Sequence, residues 1–138
     1  MTIINMQTMR YINLLDRASK VKTKRCFVYN NVIVFAVPRE LVSRAIGHDA
    51  ENVKMIQEQL GKKIKIISDT TGKDDAERFI SDIVAPVRFK SIEFKDGECV
   101  ITAGNPQTKA ALLGRNKVRL EELKTVVEDA YSAQLKVI

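Results

Sequence analysis

Cysteine is scarce in this chain of 138 residues: Cys26 and Cys99 stand alone, without CxxC spacing. That leaves no basis for a disulfide framework or a cysteine-built metal site, and both fall in strand-like runs, where a packed, reduced thiol is expected. Histidine is scarcer still, with His48 alone. With no clustered ligands, no metal and no cofactor are expected. Neither a nucleophile–base pair nor a Walker loop can be found, so no catalytic activity is expected. No stretch is long and apolar enough to span a membrane, and residues 1–10 show no basic segment followed by an apolar signal core. A cytoplasmic protein is the expectation.

What is present has the balance of a globular protein, 45% hydrophobic and 29% charged, in a length that admits one ordinary domain or two small ones. The net charge of +6 is uneven: residues 1–70 hold 12 Lys/Arg against 6 Asp/Glu, and residues 71–138 hold 11 of each. An excess of cations favours polyanions through release of their condensed counterions, although it serves solubility equally well.

Hydrophobic periodicity reveals one pattern, twice. Tyr11, Leu14, Leu15 and Ala18 share a helical face. A β-branched and aromatic run from Cys26 to Val37, broken at Asn30-Asn31, predicts an antiparallel hairpin. Pro38 suits the first turn of a short helix over 39–46. Gly47 interrupts it, a helix follows from about Ala50 to Leu60 with Gly61 at its end, and a strand over 63–68 closes the copy. The second copy opens with a helix capped by Asp74 or Asp75, whose Ala76, Phe79, Ile80, Ile83 and Val84 form one apolar face and which Pro86 stops. A strand over 87–95, a turn at Asp96-Gly97 and a strand over 98–103 follow. Asn105-Pro106 opens a helix over 107–113, Gly114 interrupts, a helix runs from about Lys117 to Tyr131, and a strand over 134–138 ends the copy. The stretch from Ser68 to Lys73 reads as the boundary.

Each Gly turn stands just before a helix, where the first backbone N–H groups are unpaired and the dipole favours an anion. A residue without a side chain lets a phosphate backbone come close. Arg44 and Lys54 lie near the first turn, and Arg115, Lys117 and Arg119 near the second. Alone, a glycine between helices is a common terminator; two in matching places of a repeat point to binding.

Here the residues resemble a known family. Ala45 to Leu60 and Ala111 to Leu123 are similar to the helix–GxxG–helix core of KH domains, most specifically in Ala45-Ile46-Gly47 with Glu51-Asn52-Val53 and in Leu60-Gly61-Lys62-Lys63. The element order is similar to the type II arrangement, and two such domains filling a short chain resemble the archaeal NusA family of transcription factors. The resemblance implies an α+β fold of two tandem type II KH domains, 1–70 and 71–138, each a small three-stranded sheet packed by three helices. It also implies that the loops Gly47, His48, Asp49, Ala50 and Gly114, Arg115, Asn116, Lys117 clamp single-stranded RNA. Ile46, Val53 and Leu113 would line the base grooves, and RNA polymerase is the implied protein partner. The second glycine of the family motif is replaced by Ala50 in one copy and Lys117 in the other. On that ground, and on bulk charge, the first loop is expected to be the stronger site, with Asp49 counting against it.

Other residues have plainer readings. His48 could touch a phosphate, stack on a base or simply be solvated. Phe27, Tyr29, Phe35, Phe79, Phe89 and Phe94 are expected in the cores, which argues against an RRM-type stacking sheet. The run Lys20, Lys22, Lys24, Arg25 reads as a solvated connector, with a second phosphate rail or an acidic protein partner as alternatives. Lys62 and Lys63 suit a helix C-terminus, and Glu121, Glu122, Glu128 and Asp129 a solvated face. Two competing classes remain: a helix-turn-helix DNA binder over 40–61, weakened by Glu51, Glu58 and the flanking strands, and a protein adaptor with degenerate KH folds.

Overall fold

The computed structural model describes residues 5–138. Residues 1–4, which begin the stretch read above for a signal segment, lie outside the described residues. The chain divides into two compact units, with the boundary between Asp69 and Thr70.

In the first unit, helix α1 (Met6–Ser19) begins at Asn5, whose side chain accepts from the Thr8 amide while Thr8 answers with a reciprocal bond, a capping box. Strands β1 (Arg25–Tyr29) and β2 (Val32–Val37) form the expected hairpin, with Tyr29 opposite Val32. Asn30 and Asn31 have φ of 52° and 63°, the left-handed pair that a two-residue turn needs. The predicted helix after Pro38 is split into a 3₁₀ turn at Arg39–Leu41 and a short α2 (Val42–Ile46), with Pro38 as the residue before the turn rather than inside it. Helix α3 (Glu51–Leu60) ends on Gly61 at φ 65°, and β3 (Lys63–Ser68) lies parallel to the central strand β2. A strand with neighbours on both sides tolerates a continuous apolar run, and five of the six residues in Val-Ile-Val-Phe-Ala-Val are buried. Leu15, Ile33, Phe35 and Ile56 are fully excluded from solvent, each stabilising the fold by roughly 1.5–3 kcal/mol.

The second unit repeats the order: α4 (Ala76–Val84), β4 (Ser91–Lys95), β5 (Glu98–Thr102), α5 (Pro106–Leu113), α6 (Val118–Tyr131) and β6 (Gln134–Val137), with β5 central, antiparallel to β4 and parallel to β6. All five residues of the predicted α4 face are buried. Tyr131 packs edge-on against Phe79 and Phe94 and donates its hydroxyl proton to Thr70 Oγ1 at 2.6 Å.

Three expectations need correction. Asp75 does stand at the N-cap of α4, but its side chain makes no capping bond; the carboxylate instead pairs with Arg78, one turn on, at 2.6 Å. The strand expected from Val87 starts only at Ser91, because the Val87 amide turns back to the Val84 carbonyl and Lys90 is the first residue to reach β5's flank, at Thr102. Phe89 and Phe94 are half-buried, whereas Phe27, Tyr29, Phe35 and Phe79 are core.

Candidate nucleic-acid interface

The α2–α3 and α5–α6 connections have nearly the same backbone. Gly47 (φ 84°, ψ 169°) and Gly114 (φ 72°, ψ 176°) occupy a region that is essentially glycine's alone. Asp49 (51°, 33°) matches Asn116 (55°, 28°), and Ala50 (59°, 29°) matches Lys117 (59°, 25°), all left-handed. Ala50 and Lys117, though not glycines, hold a conformation that glycine adopts without strain. The loop shape is thus retained in both copies despite the replaced residue.

Close packing under the turn has the same logic in each. A Cβ on Gly47 would lie 2.9 Å from the Asn52 and Glu51 side chains, and one on Gly114 would lie 2.7 Å from Arg119. Those neighbours are there because they tie the helices together: Asn52 Nδ2 donates to the Arg44 carbonyl at 3.2 Å, and Arg119 Nη1 to the Ala111 carbonyl at 3.3 Å. Each bond satisfies a carbonyl near the end of the preceding helix. Asn52 and Arg119, both candidate RNA contacts from the sequence, thus also tie the turn to its helices.

The two helices behind the loops begin without side-chain caps, unlike α1 and α5, which start on Asn5 and Asn105. The first amide of each, of Glu51 and Val118, donates to the His48 or Arg115 carbonyl within the turn, so no side chain covers the helix start, where the dipole favours an anion. Side chains over the first loop are open to solvent: His48 is 90% and Asp49 85% exposed, with Nε2 and Oδ2 3.4 Å apart. Lys54 is exposed, whereas Arg44 Nε is engaged with the Ser19 carbonyl at the end of α1, at 3.3 Å. Over the second loop Arg115, Asn116 and Lys117 are all exposed. The acids differ too: Asp49 and Glu51 crowd the first loop, while in the second copy the first acid is Glu121, within the helix.

Ile46, Val53 and Leu113 are all partly buried, beside the fully buried Ala45 and Leu112. They offer apolar surface at the ends of α2 and α5 and on the first turn of α3. Sheet aromatics offer no equivalent in the first unit, where Phe27, Tyr29 and Phe35 are buried. Among the described residues no group of three or more His, Cys, Asp or Glu could hold a metal ion, and no helix is long and apolar enough to cross a membrane.

Comparison with known proteins agrees with this architecture. A family model described as "KH domain" matches residues 32–81, from β2 through the first loop into α4. A protein of Methanocaldococcus jannaschii named "Probable transcription termination protein NusA" is 30% identical over 131 residues, covering 92% of this chain and 70% of that one. Proteins of the same name from Methanococcus vannielii and Halococcus morrhuae are 26% and 21% identical, and this chain spans 64% and 86% of their lengths. Among solved structures, "Crystal structure of APE1850" superimposes with a TM-score of 0.65 at 25% identity, covering 98% of this chain and 99% of that one. The matched loops, the repeated α+β units and the extent of the likeness together show that the chain belongs to the NusA-like family of tandem KH-domain proteins.

Proposed function

We propose that this chain is a non-enzymatic, single-stranded RNA-binding factor of transcription that acts in the cytoplasm on nascent RNA near RNA polymerase. Residues 1–70 and 71–138 serve as its two KH domains. A role in termination or antitermination is proposed on the names of its relatives. The observation that carries the RNA reading is the pairing of two like-shaped Gly turns with helices whose leading amides lack side-chain caps. A phosphate approaching either turn meets donors and a positive dipole end, while bases can lie against Ile46 and Val53, or Leu113. The missing second glycines motivate an adaptor reading; the left-handed backbone at Ala50 and Lys117 supports the RNA reading against it.

The loops share a left-handed backbone at Ala50 and Lys117, and we rank them by local charge. Arg115 and Lys117 stand where the first copy has His48 and Ala50, and the first copy adds Asp49 and Glu51. We therefore rank the second loop as the stronger phosphate contact for short RNA, reversing the order expected from sequence. Charge reversal by Arg115→Glu is expected to weaken a short single-stranded RNA more than His48→Glu does. With ~4 phosphates neutralised, the slope of log affinity on log salt should be near −3. Amide NMR shifts on RNA titration are the deciding measurement. Unmoved amides over 46–52 and 113–119, with shifts elsewhere, would overturn the loop reading, and duplex DNA outcompeting the RNA would favour the DNA-binding class.

A further inference from the structure

The first unit carries the chain's whole excess of positive charge, yet its Gly loop is flanked by acids. Besides Arg44 and Lys54 on the loop's own helices, exposed cations stand on the α1–β1 connection. There Val21 and Thr23 are buried while Lys20, at the left-handed end of α1 (φ 61°, ψ 24°), and Lys22 and Lys24 beyond it are exposed. Thr23 fixes the segment: its hydroxyl bonds to the Ala36 carbonyl and accepts from the Arg25 amide at 3.2 Å. Val21 belongs to the core cluster with Leu15 and Phe35. Arg25, the last cation of the run, is paired with Asp69. The side chains of the three lysines make no hydrogen bond or ion pair among the described residues, while the Lys20 amide donates to the carbonyl of Asp16, the nearest acid along the chain, a helical turn back on α1.

We propose that Lys20, Lys22 and Lys24 form a second phosphate-binding rail that continues the RNA path beyond the first loop. Residues two apart, as Lys22 and Lys24 are beyond the left-handed turn at Lys20, can lie up to about 6.6 Å apart, close to the spacing of successive phosphates on an extended nucleic-acid strand. The rail begins beside the loop: the Arg44 side chain, on the last turn of α2, reaches the Ser19 carbonyl, the residue before Lys20. Arg44 thus ties the start of the rail to the helix that ends at Gly47. A buried threonine and valine hold the lysine backbone in place, so binding orders only the side chains. The rail gives the first unit the cations that its own loop lacks.

This proposal rests on the loop reading for its RNA path, and the test separates the two. The chain carries Arg115→Glu and Lys117→Glu to silence the second loop, and Lys20→Gln, Lys22→Gln and Lys24→Gln are added. Single-stranded RNA of 4 and of 10–12 nucleotides is titrated, following affinity against salt and the amides over 46–52. The expected result is unchanged shifts with the short RNA and a salt slope for the longer RNA shallower by about 2, three phosphates at about 0.7 each. An unchanged slope on the longer RNA, or equal loss at both lengths, overturns the rail. A slope that falls as expected while His48→Glu leaves the short RNA indifferent supports the rail and removes the loop reading instead. Urea midpoints for the glutamine variant close to those of its parent exclude unfolding as the cause, because exposed lysines contribute little to stability.

Discussion

Ala50 and Lys117 are where a single residue tells most. A residue with a Cβ in the left-handed region costs roughly 1–2 kcal/mol, and glycine escapes that cost at the expense of greater freedom when unfolded. Ala50→Gly is therefore expected to stabilise the first unit by about 0.5–1 kcal/mol, read as a higher urea midpoint with an unchanged m-value. Gly47→Ala should do the opposite by about 1–3 kcal/mol, since its Cβ would press on Asn52 and Glu51 in a region that only glycine favours. Aspartate at the same position would combine backbone strain with charge repulsion, so it is a poor probe of RNA binding alone. Lowered stability in Ala50→Gly would mean that the left-handed turn is not the native conformation. None of this could be read from propensity, which places alanine inside a helix. The hints are the repeat, which sets Ala50 and Lys117 at the same place after Gly47 and Gly114, and the family motif, which has glycine there. The bonds of Asn52 and Arg119 were equally hidden, because a polar residue near a loop looks the same in sequence whether it faces a ligand or ties a helix end.

At the scale of elements, signals written in one or two adjacent residues were read well. Asn30-Asn31 and Asp96-Gly97 both make tight turns with positive φ, and Asn105-Pro106 opens α5 with the Asn105 side chain accepting from Thr108 at 2.8 Å. Errors fell where an apolar run lacks a period that distinguishes strand from loop, as at Val87 to Phe89, and where a plausible cap found a better partner, as Asp75 did in Arg78. Asparagine side chains cap α1 and α5, whereas α2, α3, α4 and α6 begin without a side-chain cap. Asn105→Ala is expected to cost about 1 kcal/mol in a urea unfolding experiment and to leave RNA affinity unchanged. A loss of RNA affinity at full folding would show that α5's start belongs to the binding surface.

For the molecule as a whole, the question is whether the two units open separately, and the scarce cysteines supply the probe. Cys26 faces Phe35 across the first hairpin and Cys99 faces Phe94 across the second, and neither has any exposure. Burial pushes the Cys26 thiol up to about 12 and the Cys99 thiol to about 11, from an ordinary 9.0. The thiolate is the reactive form, so at neutral pH labelling must wait for the surrounding sheet to open. The sign of the linkage follows: the protonated thiol favours the folded state, a contribution fully present below pH 9.0 and lost as pH climbs through about 11 and 12. Variants Cys99→Ala and Cys26→Ala each leave one thiol, reporting one unit. Adding Ala50→Gly should slow labelling of Cys26, in proportion to the stability gained, and leave Cys99 unaffected. Adding Lys117→Gly should slow Cys99 alone. Equal slowing of both thiols by either glycine would show that the chain opens as a single body, and that the boundary after Asp69 separates two halves of one cooperative domain rather than two that fold for themselves.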